Sequence, residues 1–231
     1  SEDATLHVLD LNSGERVGEA MPRVKQGAIH WLADSRSFTV GQLQALRPGQ
    51  PETDTYKNSR VLWQRVGARL AAARPVFGPS VTRALGLDPI DNGEIITVPG
   101  SRWMVARTTD TTVPEGNLFV APVAQLGRPN VHWQRIATAA DQITRVGLRG
   151  NELFLLTHAG APRRKLLVLD LRRPELARAT EVVAEPVSGV LENFQLKPSG
   201  LIAQVRQGTA FTLHEHATGD RVGRPLALPY A

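Results

Sequence analysis

A recurring pair of short apolar runs joined by a tight turn constrains the fold more than any other feature of this sequence. The pair occurs around Asp34, Gly100, Gly150 and Ser199, at intervals of roughly 50 to 65 residues. The runs are bounded by Gly, Pro, Asn, Asp or Ser, which is typical of β-hairpins. The sequence therefore predicts an all-β chain that is built from repeated units.

A third and a fourth strand are predicted after each hairpin. The third-strand runs are residues 61–66, 118–121, 166–170 and 209–213, and more polar fourth strands follow, as at residues 75–77 and 181–183. Four antiparallel strands at a period of about 45 to 55 residues are the signature of β-propeller blades. Two stretches, 68–74 and 174–180, have a helical composition, but each is too short to organise a core.

The first residues repeat the second half of a blade. Residues 6–18 follow the pattern of residues 212–223. The first segment ends in Gly-Glu-Arg-Val-Gly and the second in Gly-Asp-Arg-Val-Gly. We therefore predict about four and a half blades, with a remnant over 1–22 and blades over approximately 27–80, 81–139, 140–186 and 187–231. Because a blade buries both faces against its neighbours, we expect the remnant and the last blade to drive homodimer formation or a compensating closure.

Composition excludes several classes of function. The 231 residues include no Cys, which excludes disulfides, thiolate metal sites, iron–sulfur clusters and a cysteine nucleophile. The formal net charge is +5, but the 23 Arg and 4 Lys are spread along the chain and only 5% of residues are aromatic, so we expect no nucleic-acid partner. Since no apolar run approaches the roughly 20 residues that span a bilayer, we expect a soluble chain without a membrane partner. The start of the chain, Ser-Glu-Asp, is not a signal peptide, and a cytoplasmic or a periplasmic location stays open.

The repeats resemble those of a known family. The segments that carry the likeness are residues 56–67 with 75–78, residues 155–174 with their order of Ala-Pro, basic residues, apolar strand and Pro, and residues 9–15 with 23–25 and 29–31. In order and along nearly the whole chain, they resemble blades of the N-terminal propeller of the prolyl oligopeptidase family of serine peptidases.

This resemblance implies a two-domain enzyme that cleaves short peptides after proline. A seven-bladed propeller filters access, and an α/β-hydrolase domain carries a Ser-Asp-His triad. The hydrolase nucleophile needs a Gly-x-Ser-x-Gly turn, and the nearest sequences, around Ser80 and Ser199, lack its flanking glycines. We therefore expect a partial propeller without catalytic residues. Its expected partners are short proline-containing peptides and the hydrolase domain of the same parent chain.

Arg107 is the candidate for substrate binding. The resemblance aligns residues 103–107 with a second strand whose terminal arginine reaches toward the bound peptide in the family. A guanidinium there can donate hydrogen bonds to a peptide carbonyl. In the alternative interpretation, Arg107 caps a strand end beside Asp110. Residues 108–116 and Gln26 depart from the family pattern, which leaves the fine specificity open.

The remaining candidate side chains are better explained by structure. His214 and His216 share one face of a strand, at a spacing that suits two metal ligands, but a third ligand is not evident. We interpret them as part of an exposed polar face, and we predict neither a metal nor a cofactor. The other histidines are interpreted as structural and the tryptophans as buried between blades: His7, His30, His132, His158, Trp31, Trp63, Trp103 and Trp133.

Two functions from different classes remain open at this stage. The first is the substrate-gating propeller portion of a prolyl oligopeptidase-like serine endopeptidase, which carries no catalytic triad itself. The second is a stand-alone β-propeller that acts as a binding or scaffolding module.

Overall fold

The computed structural model describes residues 3–109 and 113–227. These residues contain seventeen β-strands in four antiparallel sheets. The first sheet contains β1 (Asp3–Leu6), β2 (Met21–Trp31), β3 (Ser37–Gln42), β4 (Arg60–Arg65) and β5 (Arg74–Phe77). The second contains β6 (Asn92–Ile96), β7 (Trp103–Thr109), β8 (Leu118–Pro122) and β9 (Gln134–Ala137). The third contains β10 (Ile143–Arg149), β11 (Glu152–Thr157), β12 (Lys165–Asp170) and β13 (Thr180–Val183). The fourth contains β14 (Val190–Lys197), β15 (Gly200–Gln207), β16 (Ala210–Ala217) and β17 (Arg224–Leu226).

In every sheet the strands are adjacent in the order in which they follow along the chain. This four-stranded meander is the blade unit of a β-propeller. The all-β class, the repeated hairpins and the third and fourth strands predicted from the sequence are therefore confirmed.

Helical structure is limited to single 3-10 turns in the described residues. The two stretches with a helical composition form such turns at Leu70–Ala72 and Leu176–Arg178. None of the helices described is long and apolar enough to reach across a bilayer. The other 3-10 turns are Glu52–Tyr56, Arg83–Leu85, Val123–Gln125 and Ala139–Asp141.

The turn between β2 and β3 shows why these hairpins form where the sequence predicts them. Asp34 Oδ1 accepts hydrogen bonds from the backbone N–H groups of Arg36 and Ser37, each at 2.9 Å. Ser35 adopts a positive φ of 51° between them. Short polar side chains offer the backbone these local bonds, which stabilise a reversal of the chain.

The described residues form two compact units. The first contains residues 3–109, 113 and 117–135, and the second contains residues 114–116 and 136–227. In the first unit, the first and second sheets enclose a buried cluster. Phe77 lies 5.5 Å from Phe119 and 5.2 Å from Trp133 between ring centroids. The indole N–H of Trp133 donates to the carbonyl of Val76 at 3.1 Å. Its burial agrees with the prediction for the tryptophans.

In the second unit, the third and fourth sheets pack in the same way. Phe154 and Leu166 of the third sheet share one buried cluster with Leu191, Phe194 and Ala203 of the fourth, and the rings of Phe154 and Phe194 lie 6.4 Å apart between centroids. Gly147 permits this approach, since a Cβ there would lie 2.8 Å from the Phe194 ring.

The first described residues join the first sheet. β1 is hydrogen-bonded to β2 as a fifth strand of this sheet, and residues 9 and 16 form an isolated antiparallel bridge. Leu6 and Val8 pack against Phe38 and Leu62. The segment therefore covers the face of the first sheet that points away from the second sheet, because two strands alone cannot bury both of their faces.

Trp31 departs from the predicted burial. It is the last residue of β2, and its side chain is 51% exposed although its ring lies 5.6 Å from the ring of Phe38. A position beside the turn leaves one face of the indole without a covering neighbour, which the strand pattern alone does not reveal.

Candidate functional site

Arg107 lies on β7, directly opposite Glu94 of β6 in the antiparallel register. Its Nη1 is 3.8 Å from Glu94 Oε1, and only 15% of the Arg107 side chain is exposed. Opposite charges on facing positions of neighbouring strands attract each other across the ladder. Arg107 is therefore held against its own sheet, and Asp110, the alternative partner, lies outside the described residues.

The second carboxylate oxygen of Glu94 faces His30 of β2. His30 Nε2 lies 3.5 Å from Glu94 Oε2, which is within ion-pair distance but does not form a hydrogen bond. His30 first and the Arg107 guanidinium second lower the pKa of the Glu94 carboxyl, against the effect of its burial. Glu94 is therefore ionised at neutral pH, and one carboxylate joins a side chain of the first sheet to one of the second.

Two hydrogen bonds from threonine hydroxyls to backbone carbonyls join the two sheets beside His30, Glu94 and Arg107. The Thr39 hydroxyl on β3 donates to the Ile95 carbonyl at 3.3 Å. The Thr97 hydroxyl donates to the Trp31 carbonyl at 3.3 Å. These bonds hold β6 and the residue after it along β2 and β3, where His30 and Glu94 meet.

The residue after Arg107 closes the following loop. Thr108 Oγ1 accepts from the backbone N–H and from the side-chain Nδ2 of Asn117, both at 3.2 Å. Its own backbone N–H donates to the Asn117 carbonyl at 2.9 Å. The loop that departs from the family pattern therefore leaves and rejoins the sheet at a fixed point beside Arg107.

His30, Glu94 and Arg107 bring one carboxylate between a histidine and a guanidinium. Among the residues that the structure describes, no group of three or more His, Asp or Glu side chains is arranged to hold a metal ion. A guanidinium beside an ionised carboxylate has its charge balanced locally. Such a guanidinium is suited to a neutral acceptor such as a peptide carbonyl, because a second carboxylate would be repelled by the charge of Glu94.

The sequence pattern indicates Arg107 but not Glu94, although a signal for Glu94 exists. Once the turn around Gly100 is placed, the antiparallel register brings Glu94 opposite Arg107, as Ile96 is opposite Val105. No comparable signal identifies His30 as a partner, because it lies on another sheet. If His30 is a structural residue, its structural role includes the contact with Glu94.

A second histidine–carboxylate pair lies in the other unit. His158 Nε2 is 2.7 Å from Glu115 Oε1, and this contact is the main cause of a lowered pKa of Glu115. Glu115 belongs to the segment that departs from the family pattern. The pair is consistent with a structural role for His158, because it ties residues 114–116 to the third sheet.

The interpretation of His216 as exposed is wrong. Both His214 and His216 lie on β16, but His216 is only 4% exposed. The turn before β17 folds over it: its Nδ1 is 3.3 Å from the Asp220 carbonyl oxygen, and Gly223 packs against the ring. Burial lowers the pKa of His216, so the imidazole is neutral at physiological pH.

Comparison with known proteins gives one family over almost the whole chain. Residues 1–230 match the family model described as the prolyl oligopeptidase N-terminal beta-propeller domain. Prolyl oligopeptidase A of Amanita bisporigera is 23% identical over 194 residues, which are 76% of this chain and 23% of the relative.

Solved structures share the fold at low sequence identity. One of the two prolyl endopeptidases studied for inter-domain dynamics has a TM-score of 0.82 at 16% identity, over 99% of this chain and 32% of the other. Prolyl oligopeptidase B from Galerina marginata bound to a 35mer hydrolysis and macrocyclization substrate has a TM-score of 0.77 at 15% identity, over 98% and 32%. Its apo form has a TM-score of 0.79 at 16% identity, with the same coverage. The chain spans about a third of the length of these structures.

Proposed function

Because the chain belongs to the prolyl oligopeptidase family, we propose that it is the substrate-gating propeller portion of a serine endopeptidase that cleaves short peptides after proline. The catalytic triad belongs to an α/β-hydrolase domain of the same parent chain, which is the principal partner of this chain. The observation that carries the proposal is the family match over residues 1–230 in a sequence without a Gly-x-Ser-x-Gly turn.

The rigidity of the repeated sheets supports the gating role. Each unit is built from sheets with a shared buried cluster, so the strands cannot separate to admit a large folded protein without exposing apolar surface. The relative from Galerina marginata is bound to a 35mer substrate. Peptides of that kind, rather than folded proteins, are the substrate class that we assign to the parent enzyme.

In this proposal Arg107 contributes directly to peptide binding. Its guanidinium is held by Glu94 at 3.8 Å, which fixes its orientation before a peptide arrives. A preorganised donor loses less conformational entropy on binding than a mobile arginine. A carbonyl of the peptide is the expected acceptor, because the charge of Arg107 is already balanced.

The proposal is tested in the parent enzyme by an Arg107→Ala substitution. A hydrogen bond to a charged group contributes about 1.5–3 kcal/mol, so we expect KM for a proline-containing peptide to rise at least tenfold. The kcat should stay within about twofold, since the triad is untouched. Arg178→Ala is the matched control, because Arg178 is an exposed arginine of the other unit that pairs only with Glu175 among the described residues.

Three results would contradict the proposal. If KM is unchanged in the Arg107 variant, the residue has only a structural role. If the chain alone hydrolyses a proline-containing chromogenic peptide and reacts with a serine-directed probe, the assignment of catalysis to another domain is wrong. If its gene encodes no Gly-x-Ser-x-Gly turn beyond this chain, the alternative of a stand-alone binding module replaces it. A homodimer of the chain stays a prediction.

A further inference from the structure

A concave site lies on the first unit, and its lining does not include Arg107. It has a volume of about 500 Å³ and is formed by the segment after β5 and the segment before β9. This volume is within the range of pockets that bind small molecules. Its apolar lining consists mainly of Pro75, Val81, Leu85, Pro129 and Val131, with Trp133 at its base.

The charged lining of this site has one sign. Arg83 and Arg128 line it, and none of its lining residues is Asp or Glu. The sequence explains this: residues 55–87 and 116–140 contain eight Lys and Arg but no Asp or Glu, in a chain that has 22 acidic residues. The two segments that build the site therefore carry arginines and no acidic residue.

The two arginines have no carboxylate partner within the described residues. Ion pairs at up to 4.0 Å join eleven pairs of side chains there, and Arg83 and Arg128 are in none of them. By contrast, Arg172, another exposed arginine, binds the carboxylate of Asp170 at 2.7 Å. Two guanidinium groups that flank an acid-free cavity attract an anion.

Other arginines keep the walls of the site in place. Arg135 donates from Nη2 to the carbonyl of Leu85, and its guanidinium lies 5.2 Å from the centre of the Phe119 ring. Arg74 donates from Nη1 to the carbonyl of Gly127. The two segments are therefore tied to opposite strands by side chain–backbone bonds, so the cavity is formed without a ligand.

We infer that this site binds a small organic phosphate, with the phosphate between Arg83 and Arg128 and an apolar body against Val81, Pro129 and Val131. A phosphate dianion accepts hydrogen bonds from two guanidinium groups at once, which a monoanionic carboxylate matches less well. The apolar lining favours a ligand with an aromatic or aliphatic body over inorganic phosphate. This inference does not depend on the proposed peptidase function.

Titration of the whole chain with phenyl phosphate tests the inference. Isothermal calorimetry, or the fluorescence of the tryptophans, should show saturable binding of one equivalent. An Arg83→Gln/Arg128→Gln double variant should bind at least roughly tenfold more weakly, because it loses both charge-assisted contacts. Val81→Ser should lower the affinity for phenyl phosphate and leave the affinity for inorganic phosphate unchanged.

The control must remove the same net charge elsewhere. Arg47→Gln/Arg173→Gln neutralises two exposed arginines that lie outside the site, and it should keep the affinity of the unaltered chain. Equal weakening in both double variants would assign the binding to overall charge and overturn the inference. No saturation up to about 10 mM phenyl phosphate would also overturn it. So would equal affinities for phenyl and inorganic phosphate, since the apolar body would then make no contact.

Discussion

Replacement of Phe77 measures how strongly the first two sheets hold each other. Phe77 ends β5 and is completely buried, with Phe119 and Trp133 as ring neighbours. Truncation of a buried Phe to Ala removes its apolar contacts and leaves a cavity, at a cost of about 3–5 kcal/mol. We expect Phe77→Ala to lower the free energy of unfolding of the first unit by this amount.

A Phe77→Leu variant separates ring contacts from volume. Leu retains most of the buried apolar volume but loses both ring pairs, which lie at 5.5 and 5.2 Å between centroids. Each aromatic pair contributes about 0.5–1.5 kcal/mol beyond its buried area. We therefore expect a loss of roughly 1–3 kcal/mol, between the unaltered chain and the Ala variant. Urea unfolding is followed by tryptophan fluorescence, to which Trp133 contributes, and by circular dichroism.

The control for both variants is Phe211→Ala on β16. Phe211 is 47% exposed, and truncation of an exposed side chain changes stability by only about 0.5 kcal/mol or less. If Phe77→Ala costs less than about 1 kcal/mol, or no more than the control, the cluster does not join the sheets. If the Leu variant is as unstable as the Ala variant, the ring geometry rather than the volume determines the stability.

Two further perturbations test the fourth sheet. Lys197 first and Arg224 second lower the pKa of Glu215 to about 2. A lowered carboxyl pKa stabilises the folded state above the unfolded value near 4.5, and this stabilisation is lost as the pH falls toward 2. Glu215→Gln should therefore show a smaller loss of stability than the unaltered chain between these pH values, measured by urea midpoints, and identical slopes would contradict the ion pairing. Gly223→Ala should destabilise the chain by about 1–3 kcal/mol, because a Cβ would overlap the His216 ring; an unchanged thermal midpoint would show that the turn can move away.

The hairpins could be predicted because the determinants of each turn lie within a few residues. Asp34, for example, forms its turn with Arg36 and Ser37, so the local sequence contains all the partners. Local sequence also predicts one contact of the candidate site. With the turn at Gly100 known, the register brings Glu94 opposite Arg107.

Burial of single side chains was predicted less well, because alternation along a strand does not show what covers each face. His216 was assigned to an exposed face, yet the turn before β17 buries it. Trp31 was assigned to the interior, yet its position at the end of β2 leaves half of it exposed. In both cases the covering or missing neighbour is another segment of the chain, which strand periodicity does not report.

The sequence by itself determined the all-β class, the repeated four-stranded unit and the family, because period, turns and strand order are local or repeated properties. The tertiary structure decided which distant segments meet. It brought His30 to Glu94 from another sheet, and it joined the two acid-free segments into one cavity around Arg83 and Arg128. It also laid residues 3–18 over the first sheet. Each of these contacts depends on how sheets and linkers pack, and packing brings together side chains that have no fixed spacing along the chain.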